Sequence, residues 1–239
     1  IGVHTPEFEF EKKKGNVQSA IEEFGIKYPV VQDNDYATWR AYNNRYWPRK
    51  YLIDIDGFIV YDHIGEGGYE ETERQIQKAL KERMDVLGEQ GVVGEDLADV
   101  EEYTVTARSP ETYFGSLRNN DFSKGMQQLE ISSIRPNTLY LSGVWDIQPE
   151  YAESKEKGRI VFQYGAKNVF LVMRADKEVN VQVLIDGTIV SGIVGEDVVD
   201  GVVTVKEDRL YKLIEGEYGE HVLELVVEPG LQAFAFTFG

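Results

Sequence analysis

The spacing of apolar residues changes part of the way along this 239-residue chain. Up to about residue 88, short apolar runs alternate with stretches of helical spacing. From about residue 105, apolar residues recur at every second position, as in Val179 and Val181. The first pattern indicates an α/β domain and the second indicates strands. We therefore predict an α/β domain at residues 1–88, a glycine-containing acidic linker at 89–104 and an all-β domain at 105–239.

The first domain carries signals for three helices and a β-hairpin. Helical spacing predicts a first helix with Asn16 as its N-cap and a second helix over residues 36–45. Asp56-Gly57 stands between two apolar runs and predicts the hairpin. A third helix is predicted to end at Gly88 and to bury one apolar stripe. The stripe consists of Ile76, Ala79, Leu80, Met84 and Leu87.

The second domain contains only strand and turn signals. The continuously apolar run Val169–Met173 predicts a strand buried on both faces, and Asp186-Gly187 predicts a second hairpin. Alternating phenylalanines in residues 231–239 predict a final strand. About eight short strands with frequent turns are typical of a jelly-roll β-sandwich. The predicted fold class is therefore α/β plus all-β.

Composition narrows the range of functions. The formal net charge is −17, with 42 Asp and Glu against 25 Lys and Arg, which argues against nucleic-acid binding, since that needs Lys and Arg gathered on one face. The absence of cysteine excludes disulfides, thiolate metal sites and cysteine nucleophiles within this chain. The sequence begins with Ile1 and shows no targeting segment, so we expect a processed, truncated or recombinant start.

Familiar metal and phosphate motifs are incomplete. The sequence DIDG at 54–57 starts like a calcium loop, but Phe58 and Val60 stand where oxygen ligands are needed, so we interpret it as a turn. The three histidines are far apart in sequence, and the glycine-rich stretch 65–68 lacks the lysine of a phosphate loop. No Gly-x-Ser-x-Gly elbow is present. We therefore expect neither a metal nor a cofactor.

Seven segments resemble one known protein family. In the first domain they are IGVHTPEFEFEK (1–12), DNDYATWRAYNNRYWPRKYLIDIDG (33–57) and GEGGYEETERQIQKAL (65–80). In the second they are SPETYFG (109–115), LSGVWDIQPEYAE (141–153), VLIDG (183–187) and AFAFTFG (233–239). The first set resembles the redoxin domain of DipZ-type thiol–disulfide proteins, relatives of the TlpA and ResA group. The second set resembles the carbohydrate-binding-module-like β-sandwich that follows that domain.

The resemblance implies a partial thioredoxin-like fold that lacks its Cys-x-x-Cys half. In the family this motif precedes the strand with which this sequence begins, so we expect it upstream of Ile1, and no catalytic residue in the chain itself. Disulfide exchange needs a thiolate, so this chain alone should be redox-inactive. The resemblance implies that the parent protein is an extracytoplasmic thiol–disulfide oxidoreductase, in the periplasm or at the outer cell surface. Its expected partners are thiol or disulfide proteins or a membrane electron carrier.

Trp47-Pro48 is the substrate-binding element that the resemblance indicates. Thioredoxin-like folds have a cis proline here, and the backbone before it pairs with an extended substrate; an ordinary trans bond is the alternative. His4 follows the first strand and is expected to line the same surface, although a strand cap or a solvent-facing role is the alternative. Trp39 and Glu66 are weaker candidates for the same groove.

Two other functional classes remain open. The chain is alternatively a non-catalytic module that binds protein or carbohydrate, with a sugar platform formed by Trp145, Tyr113 and Tyr151, and with Tyr140 nearby. Packing is the other use for these rings, and Trp145 lies in a predicted strand, where burial is expected. The third class is a scaffold in which the β domain stabilises its neighbour.

A truncated sheet predicts an association. Without its first strand and helix, a redoxin domain presents an apolar sheet face and an unpaired strand edge. We therefore expect self-association or pairing with the missing N-terminal segment.

Overall fold

A computed structural model describes residues 1–94, 97, 100, 107–192 and 194–239. Within the predicted linker 89–104, residues 95, 96, 98, 99 and 101–104 lie outside the described residues. The first elements along the chain are β1 (Gly2–His4), a 3-10 helix (Glu9–Lys12), α1 (Lys14–Glu23), β2 (Val30–Gln32), α2 (Ala37–Ala41), β3 (Arg49–Ile53), β4 (Ile59–Ile64) and α3 (Tyr69–Leu87). They are followed by β5 (Thr112–Tyr113), β6 (Gly125–Leu129), β7 (Leu139–Ile147), β8 (Ala152–Ser154), β9 (Gly158–Ala175), β10 (Val179–Ile185), β11 (Thr188–Ile189), β12 (Val198–Val199), β13 (Val202–Val205), β14 (Arg209–Val227) and β15 (Leu231–Phe238).

The chain forms two compact units. The α/β unit comprises Ile1–Pro6 and Lys27–Val105, and the β unit comprises Glu7–Ile26 and Thr106–Gly239. The contacts therefore group the 3-10 helix and α1 with the C-terminal strands, whereas the sequence pattern places them in the first domain. The predicted combination of an α/β part and an all-β part holds, and the structure is mostly β with few helices.

Among its described residues, the α/β unit contains two separate small sheets. Strand β1 pairs with β2 in parallel, and β3 pairs with β4 in antiparallel. The turn between β3 and β4 confirms the hairpin prediction: the Asp54 carboxylate accepts hydrogen bonds from the backbone N–H groups of Asp56 (3.0 Å) and Phe58 (2.8 Å). Gly57 has a φ of 88°, a value that favours glycine. The carboxylate is thus occupied in forming the turn.

Helix α3 has its predicted end but not its predicted buried face. Gly88 follows it in the left-handed conformation, with a φ of 65°. The prediction of a buried stripe is wrong, because no residue of α3 is buried and Leu80 and Leu87 are exposed. The two-stranded sheets of this unit offer less surface than a continuous sheet for such a helix to pack on.

The strands of the β unit form one antiparallel sheet. Its order among the described residues is β12-β13-β10-β14-β9-β15-β8-β7-β6, with β11 paired to β10 and β5 paired to β15. The prediction of about eight short strands is wrong: this sheet has 11 strands, and β9 and β14 contain 18 and 19 residues. Strand β14 extends this far because two irregularities, at Lys212/Ile214 and Glu215/Gly219, bend it without ending its pairing with β9.

Residues 7–26 pack against β15 through aromatic rings. Phe8 and Phe10 are 4% and 7% exposed, and their ring centroids lie 5.2 and 5.1 Å from that of Phe234. A bulge between Ala233 and Ala235 leaves Phe234 without a partner on β9. Phe234 belongs to the cluster of Phe8 and Phe10, whereas Phe236 belongs to the main core of the β unit. Residues 7–26 therefore supply part of the apolar interior of the β unit.

Polar contacts fix the same segment. Glu7 pairs with Arg118, and the Lys13 ammonium lies 2.9 Å from the Asp208 carboxylate. The prediction that Asn16 caps α1 is wrong, because Lys13 is the N-cap residue. The Asn16 side-chain amide instead donates to the Phe10 carbonyl (3.0 Å) and to the Asp208 carboxylate (3.3 Å). These bonds hold the start of α1 against the strands.

Glu11 makes the stability of the β unit depend on pH. Burial raises the pKa of Glu11 to about 7, and the neighbouring carboxylates of Glu7 and Glu150 act in the same direction, although its hydrogen bond from the Glu7 N–H opposes them. The folded state therefore binds the proton more tightly than the unfolded state. We expect the free energy of unfolding to fall as the pH rises from about 4.5 to about 7. Glu11→Gln should flatten this dependence in urea titrations at several pH values, and Glu9→Gln is the control. An unchanged slope in Glu11→Gln would contradict the assignment.

Candidate functional site

The end of β1 and the start of α2 are joined by Asp33. The backbone N–H of Asp33 donates to the His4 carbonyl (2.8 Å), and its buried carboxylate accepts hydrogen bonds from the N–H groups of Thr38 (2.9 Å) and Trp39 (2.8 Å). Aspartate before a helix satisfies its otherwise unpaired N–H groups. The Thr5 hydroxyl also donates to this carboxylate (3.4 Å). Asp33 therefore fixes the position of α2 relative to β1.

Electrostatics keep Asp33 ionised. Burial by itself raises its pKa, but the hydrogen bonds from the backbone N–H groups of Trp39 and Thr38 outweigh burial, and the net pKa is lowered. A lowered carboxyl pKa contributes stability above its ordinary value, and that contribution is lost as the pH falls through the folded-state value. Asp33 thus supports this site throughout the neutral range.

Asp33→Ala should loosen α2. Loss of a side chain that accepts the first N–H groups of a helix costs about 0.5–2 kcal/mol, and the N–H groups of Thr38 and Trp39 would lose this acceptor. We expect faster amide hydrogen exchange in residues 37–41 and a lower urea midpoint for the α/β unit. Asp35→Ala removes an exposed carboxylate two residues away and is the matched control. Equal exchange rates in the two variants would show that Asp33 does not hold the helix.

Two tryptophan rings pack against each other beside Asp33. The ring centroids of Trp39 and Trp47 lie 4.2 Å apart, and Tyr36 meets Trp39 edge-on at 6.1 Å. The Trp47 indole N–H donates to the Thr5 carbonyl (3.3 Å), which ties the ring to the residue after His4. Trp47 remains 48% exposed. We call Tyr36, Trp39 and Trp47 the aromatic cluster.

Pro48 follows this cluster directly. The Trp47–Pro48 peptide bond is cis, and the Pro48 carbonyl accepts a hydrogen bond from the Gly65 N–H (2.9 Å). Pro48 itself is exposed. The structure thus brings Trp47 and Pro48 close to the chain segment just after β1.

His4 and Glu66 have less direct connections to the cluster. His4 is half-buried at the end of β1, and burial lowers its pKa, although a hydrogen bond with its own backbone acts in the opposite direction. Its imidazole is therefore neutral at neutral pH. The Glu66 carboxylate accepts a hydrogen bond from the Tyr69 hydroxyl (2.8 Å), and the Glu66 carbonyl lies 3.3 Å from His63 Nε2. Glu66 thus supports the turn after β4.

Sequence reasoning missed Thr5 and Tyr36 as parts of this site. Thr5 provides the carbonyl that holds Trp47, and the Tyr36 hydroxyl donates to the carbonyl of Pro6. Backbone carbonyls carry no sequence signal, so neither contact had a motif that reveals it. Asp33 precedes α2, and an aspartate before a helix commonly accepts N–H groups of the first turn, as it does here.

Two strands beside the cluster are edge strands in the part of the chain that the structure describes. In the described residues, β1 has β2 as its hydrogen-bonded neighbour and β3 has β4, and no further strand pairs with either. Each strand therefore presents one row of N–H and C=O groups on its other side. The exposed side chains of Val3 and Ile53 belong to these strands.

The three aromatic residues of the predicted sugar platform do not form one exposed surface. Trp145 is 0% exposed and its indole N–H donates to the Ser142 carbonyl (2.9 Å), so its ring has no face to offer a ligand. One face of Tyr113 is covered by the Arg118 guanidinium, 4.5 Å from the ring centroid. Tyr151 packs against Phe234 at 5.2 Å. The prediction that Trp145 belongs to a sugar platform is therefore wrong, because its ring is buried in the core.

The hydroxyl of Tyr113 is similarly engaged. It donates to the Glu111 carboxylate (2.6 Å) and lies 2.9 Å from that of Glu7. Burial raises the pKa of Tyr113, and the hydrogen bond to Glu111 raises it further. Tyr140 is half-buried, and its hydroxyl accepts a hydrogen bond from Arg135 (3.4 Å). These tyrosines have local structural partners.

The described residues contain neither a metal-binding cluster nor a membrane-spanning helix. No group of three or more His, Asp or Glu side chains there is arranged to hold a metal ion. No helix in the same part of the chain has the length and apolar character needed to cross a membrane.

Comparisons with known proteins identify similar chains for both units. A family described as "Thioredoxin like C-terminal domain" matches residues 109–239. Protein DipZ of Mycobacterium tuberculosis is 34% identical over 251 aligned residues, which cover 100% of this chain and 34% of DipZ. The thiol-disulfide oxidoreductase YkuV of Bacillus subtilis is 28% identical over 82 residues, covering 34% of this chain and 55% of YkuV. The chain therefore spans about a third of the length of its DipZ relatives.

The similarity to solved structures is weaker. A family two carbohydrate esterase from Clostridium thermocellum, solved as an active-site mutant, aligns with a TM-score of 0.36 and 18% identity. It covers 44% of this chain, and the aligned part is 32% of the esterase. A likeness at this level carries no argument about function.

Proposed function

The chain belongs to the "Thioredoxin like C-terminal domain" family, and on that premise we propose that it is the substrate-binding part of an extracytoplasmic thiol–disulfide oxidoreductase. It is a DipZ-like protein related to the TlpA group of redoxins. The reacting cysteines are proposed to lie in polypeptide outside this chain, because the chain itself has none. Without a thiolate it carries out no exchange on its own.

The observation that carries the proposal is the position of Trp47 and Pro48. The exposed Trp47 ring is held by its contact with the Trp39 ring and by its indole hydrogen bond to the carbonyl of Thr5. Thr5 directly follows His4. An exposed aromatic ring held in one orientation gives a partner apolar contact at a small cost in side-chain entropy. The proposed role of Trp47, Pro48 and His4 is to hold an extended segment of the substrate beside the reacting sulfurs.

The chemistry proposed for the complete protein is thiol–disulfide exchange. A thiolate attacks one sulfur of a disulfide, a new S–S bond forms as the old one breaks, and the leaving sulfur departs as a thiolate. A second thiolate then resolves the mixed disulfide, so that one disulfide is formed for each one reduced. The contribution of this chain is orientation of the substrate, since Trp47 and Pro48 neither gain nor lose a proton or an electron.

The exposed edges of β1 and β3 support the proposal that a strand outside this chain pairs with them. Each of these strands has a hydrogen-bonded neighbour strand on one side in the described residues, and an exposed strand edge is a template for pairing with another strand. We infer that a strand from the cysteine-bearing segment pairs here, and that self-association occurs where that segment is absent. The partners of the complete protein are proposed to be thiol or disulfide proteins or a membrane electron carrier.

The reading frame upstream of Ile1 tests this function. We expect it to encode a strand followed by a Cys-x-x-Cys helix that leads directly into the sequence of β1. A frame that opens at this point, with no cysteine pair before it, would remove the oxidoreductase assignment. An added segment that contains the cysteines should also protect the amides of β1 and β3 from hydrogen exchange.

We also propose that the β unit is a jelly-roll β-sandwich. Its single antiparallel sheet, bent through two very long strands, is compatible with a jelly-roll β-sandwich. The alternative function as a carbohydrate-binding module loses its main support because Trp145 is buried. A scaffold role for this unit is compatible with the redox assignment, because it requires no other function of the Trp47 site.

A further inference from the structure

One stretch of this strongly acidic chain carries a net positive charge. Residues 36–53 contain four basic side chains and no aspartate or glutamate, although the whole chain has a net charge of −17. The same stretch contains six aromatic residues. Its basic residues are Arg40, Arg45, Arg49 and Lys50. Charge and aromatic rings are thus concentrated together around Trp47 and Pro48.

Two of the four cations have local partners. Arg49 donates to the Asp62 carboxylate through two nitrogens (3.0 and 2.5 Å). Lys50 donates to the Gly67 carbonyl (2.7 Å) and lies 4.6 Å from the centroid of the Tyr69 ring. These cations stabilise the hairpin and the turn that follows it.

Arg40 and Arg45 differ from those two. Both side chains are exposed, and neither guanidinium forms an ion pair with a carboxylate of the described residues. A guanidinium presents a planar fork of donors that matches the two oxygens of a carboxylate. Arg40 and Arg45 are therefore available to an acidic partner.

The backbone between these arginines is folded into one compact piece. The Asn43 N–H donates to the Arg40 carbonyl (3.0 Å), and the Asn44 N–H donates to the Trp39 carbonyl (2.9 Å). The contact between the Trp39 and Trp47 rings closes the same loop onto α2. Arg40, Arg45, Tyr42, Tyr46 and Trp47 are all exposed on this piece, and we call them the basic aromatic patch.

We propose that the basic aromatic patch binds an acidic segment of the protein partner. This inference rests on the proposed function and names the chemistry of the substrate that reaches Trp47 and Pro48. The two guanidinium groups pair with carboxylates, while the exposed rings contact the apolar parts of the same segment. The acidic surface elsewhere repels such a partner, so charge also directs the segment to this patch.

An anionic membrane is a poorer match for the same patch. Recognition of anionic lipid surfaces uses clusters of about four to eight cations, and here two of the four are engaged in internal contacts. The net charge of −17 would also repel an anionic membrane. The structure therefore favours a polypeptide segment.

Peptide binding to the intact chain tests the inference. The probes are a short peptide rich in Asp and Glu and a peptide of the same length with Asn and Gln at those positions. Calorimetry should detect the acidic peptide, with an affinity that falls as salt is added, and should detect little binding of the neutral one. Arg40→Glu combined with Arg45→Glu should lower the affinity for the acidic peptide by about tenfold or more.

Control variants separate this patch from net charge. Lys78→Glu combined with Lys177→Glu makes the same change in charge outside the patch, and affinity should stay within about twofold of the parent chain. Equal affinity for the two peptides, or equal weakening by both pairs of substitutions, would overturn the inference. Binding to anionic vesicles or to a second copy of the chain with no binding of the acidic peptide would also overturn it. The assay involves no redox step, so its failure would leave the upstream Cys-x-x-Cys test of the proposed function unaffected.

Discussion

Replacing Phe8 or Phe10 with alanine should destabilise the β unit by about 3–5 kcal/mol, the usual cost of removing a buried phenylalanine ring. The two rings are 4% and 7% exposed and pack against Phe234. Loss of either ring leaves a cavity over β15 that neighbouring side chains fill only partly. Because the rings also contact each other at 5.9 Å, the double variant should lose less than the sum of the two.

Hydrogen exchange in β15 is the measurement for this prediction. Amides of residues 231–238 should exchange faster in Phe8→Ala and Phe10→Ala than in the parent chain. Phe24→Ala is the matched control, because Phe24 follows α1 and is 68% exposed. Unchanged protection of β15 in both buried-ring variants would show that residues 7–26 are not part of the interior of the β unit.

Replacing Trp145 with alanine should have an effect of similar size. Its ring is fully buried in β7, and truncation of a buried tryptophan costs about 3–5 kcal/mol. The Ser142 carbonyl also loses the indole N–H as its donor, which adds to the cost. We expect Trp145→Ala to unfold at a much lower urea concentration, or to fail to accumulate as folded protein.

Two further tryptophan variants make the Trp145 prediction specific. Trp145→Phe keeps most of the ring volume and loses the hydrogen bond, so it should cost less than Trp145→Ala. Trp47→Ala removes a ring that is 48% exposed and should change the urea midpoint far less than Trp145→Ala. If Trp145→Ala instead unfolded like the parent chain, its ring would be available for the sugar-binding role that its burial argues against.

The sequence predicted those features that depend on local chemistry. The turns at Asp56-Gly57 and Asp186-Gly187 follow from residues that adopt positive φ readily, and the end of α3 follows from Gly88. Period-two spacing identified the second part as strands. Trp47-Pro48 was found through resemblance, since no periodicity distinguishes it from another X-Pro pair.

The features that the sequence did not predict depend on contacts between distant residues. The alternating phenylalanines of β15 suggest one buried face, but the bulge at Phe234 places that ring in a different cluster from Phe236. The assignment of residues 7–26 to the β unit depends on the same bulge. The stripe of α3 has helical spacing whether or not a surface covers it, so spacing did not determine its burial.

The role of Asp33 shows how much of the candidate site was accessible. A turn or cap role follows from residue type, because aspartate before a helix accepts N–H groups. Its bond to β1 through the His4 carbonyl, and the Thr5 carbonyl that holds Trp47, depend on backbone groups that every residue shares. The sequence thus indicated the residues at the surface of the site better than the contacts that position them.

The central claim is that Trp47 holds a protein substrate for exchange, and disulfide-exchange kinetics in the intact parent protein test it most directly. We predict that Trp47→Ala lowers kcat/KM by about tenfold for a protein disulfide and by less for a small-molecule disulfide, which makes little contact beyond its sulfurs. Phe24→Ala, which changes an exposed ring of the β unit, is the control. Equal rates for Trp47→Ala and the parent protein on the protein disulfide would contradict the account.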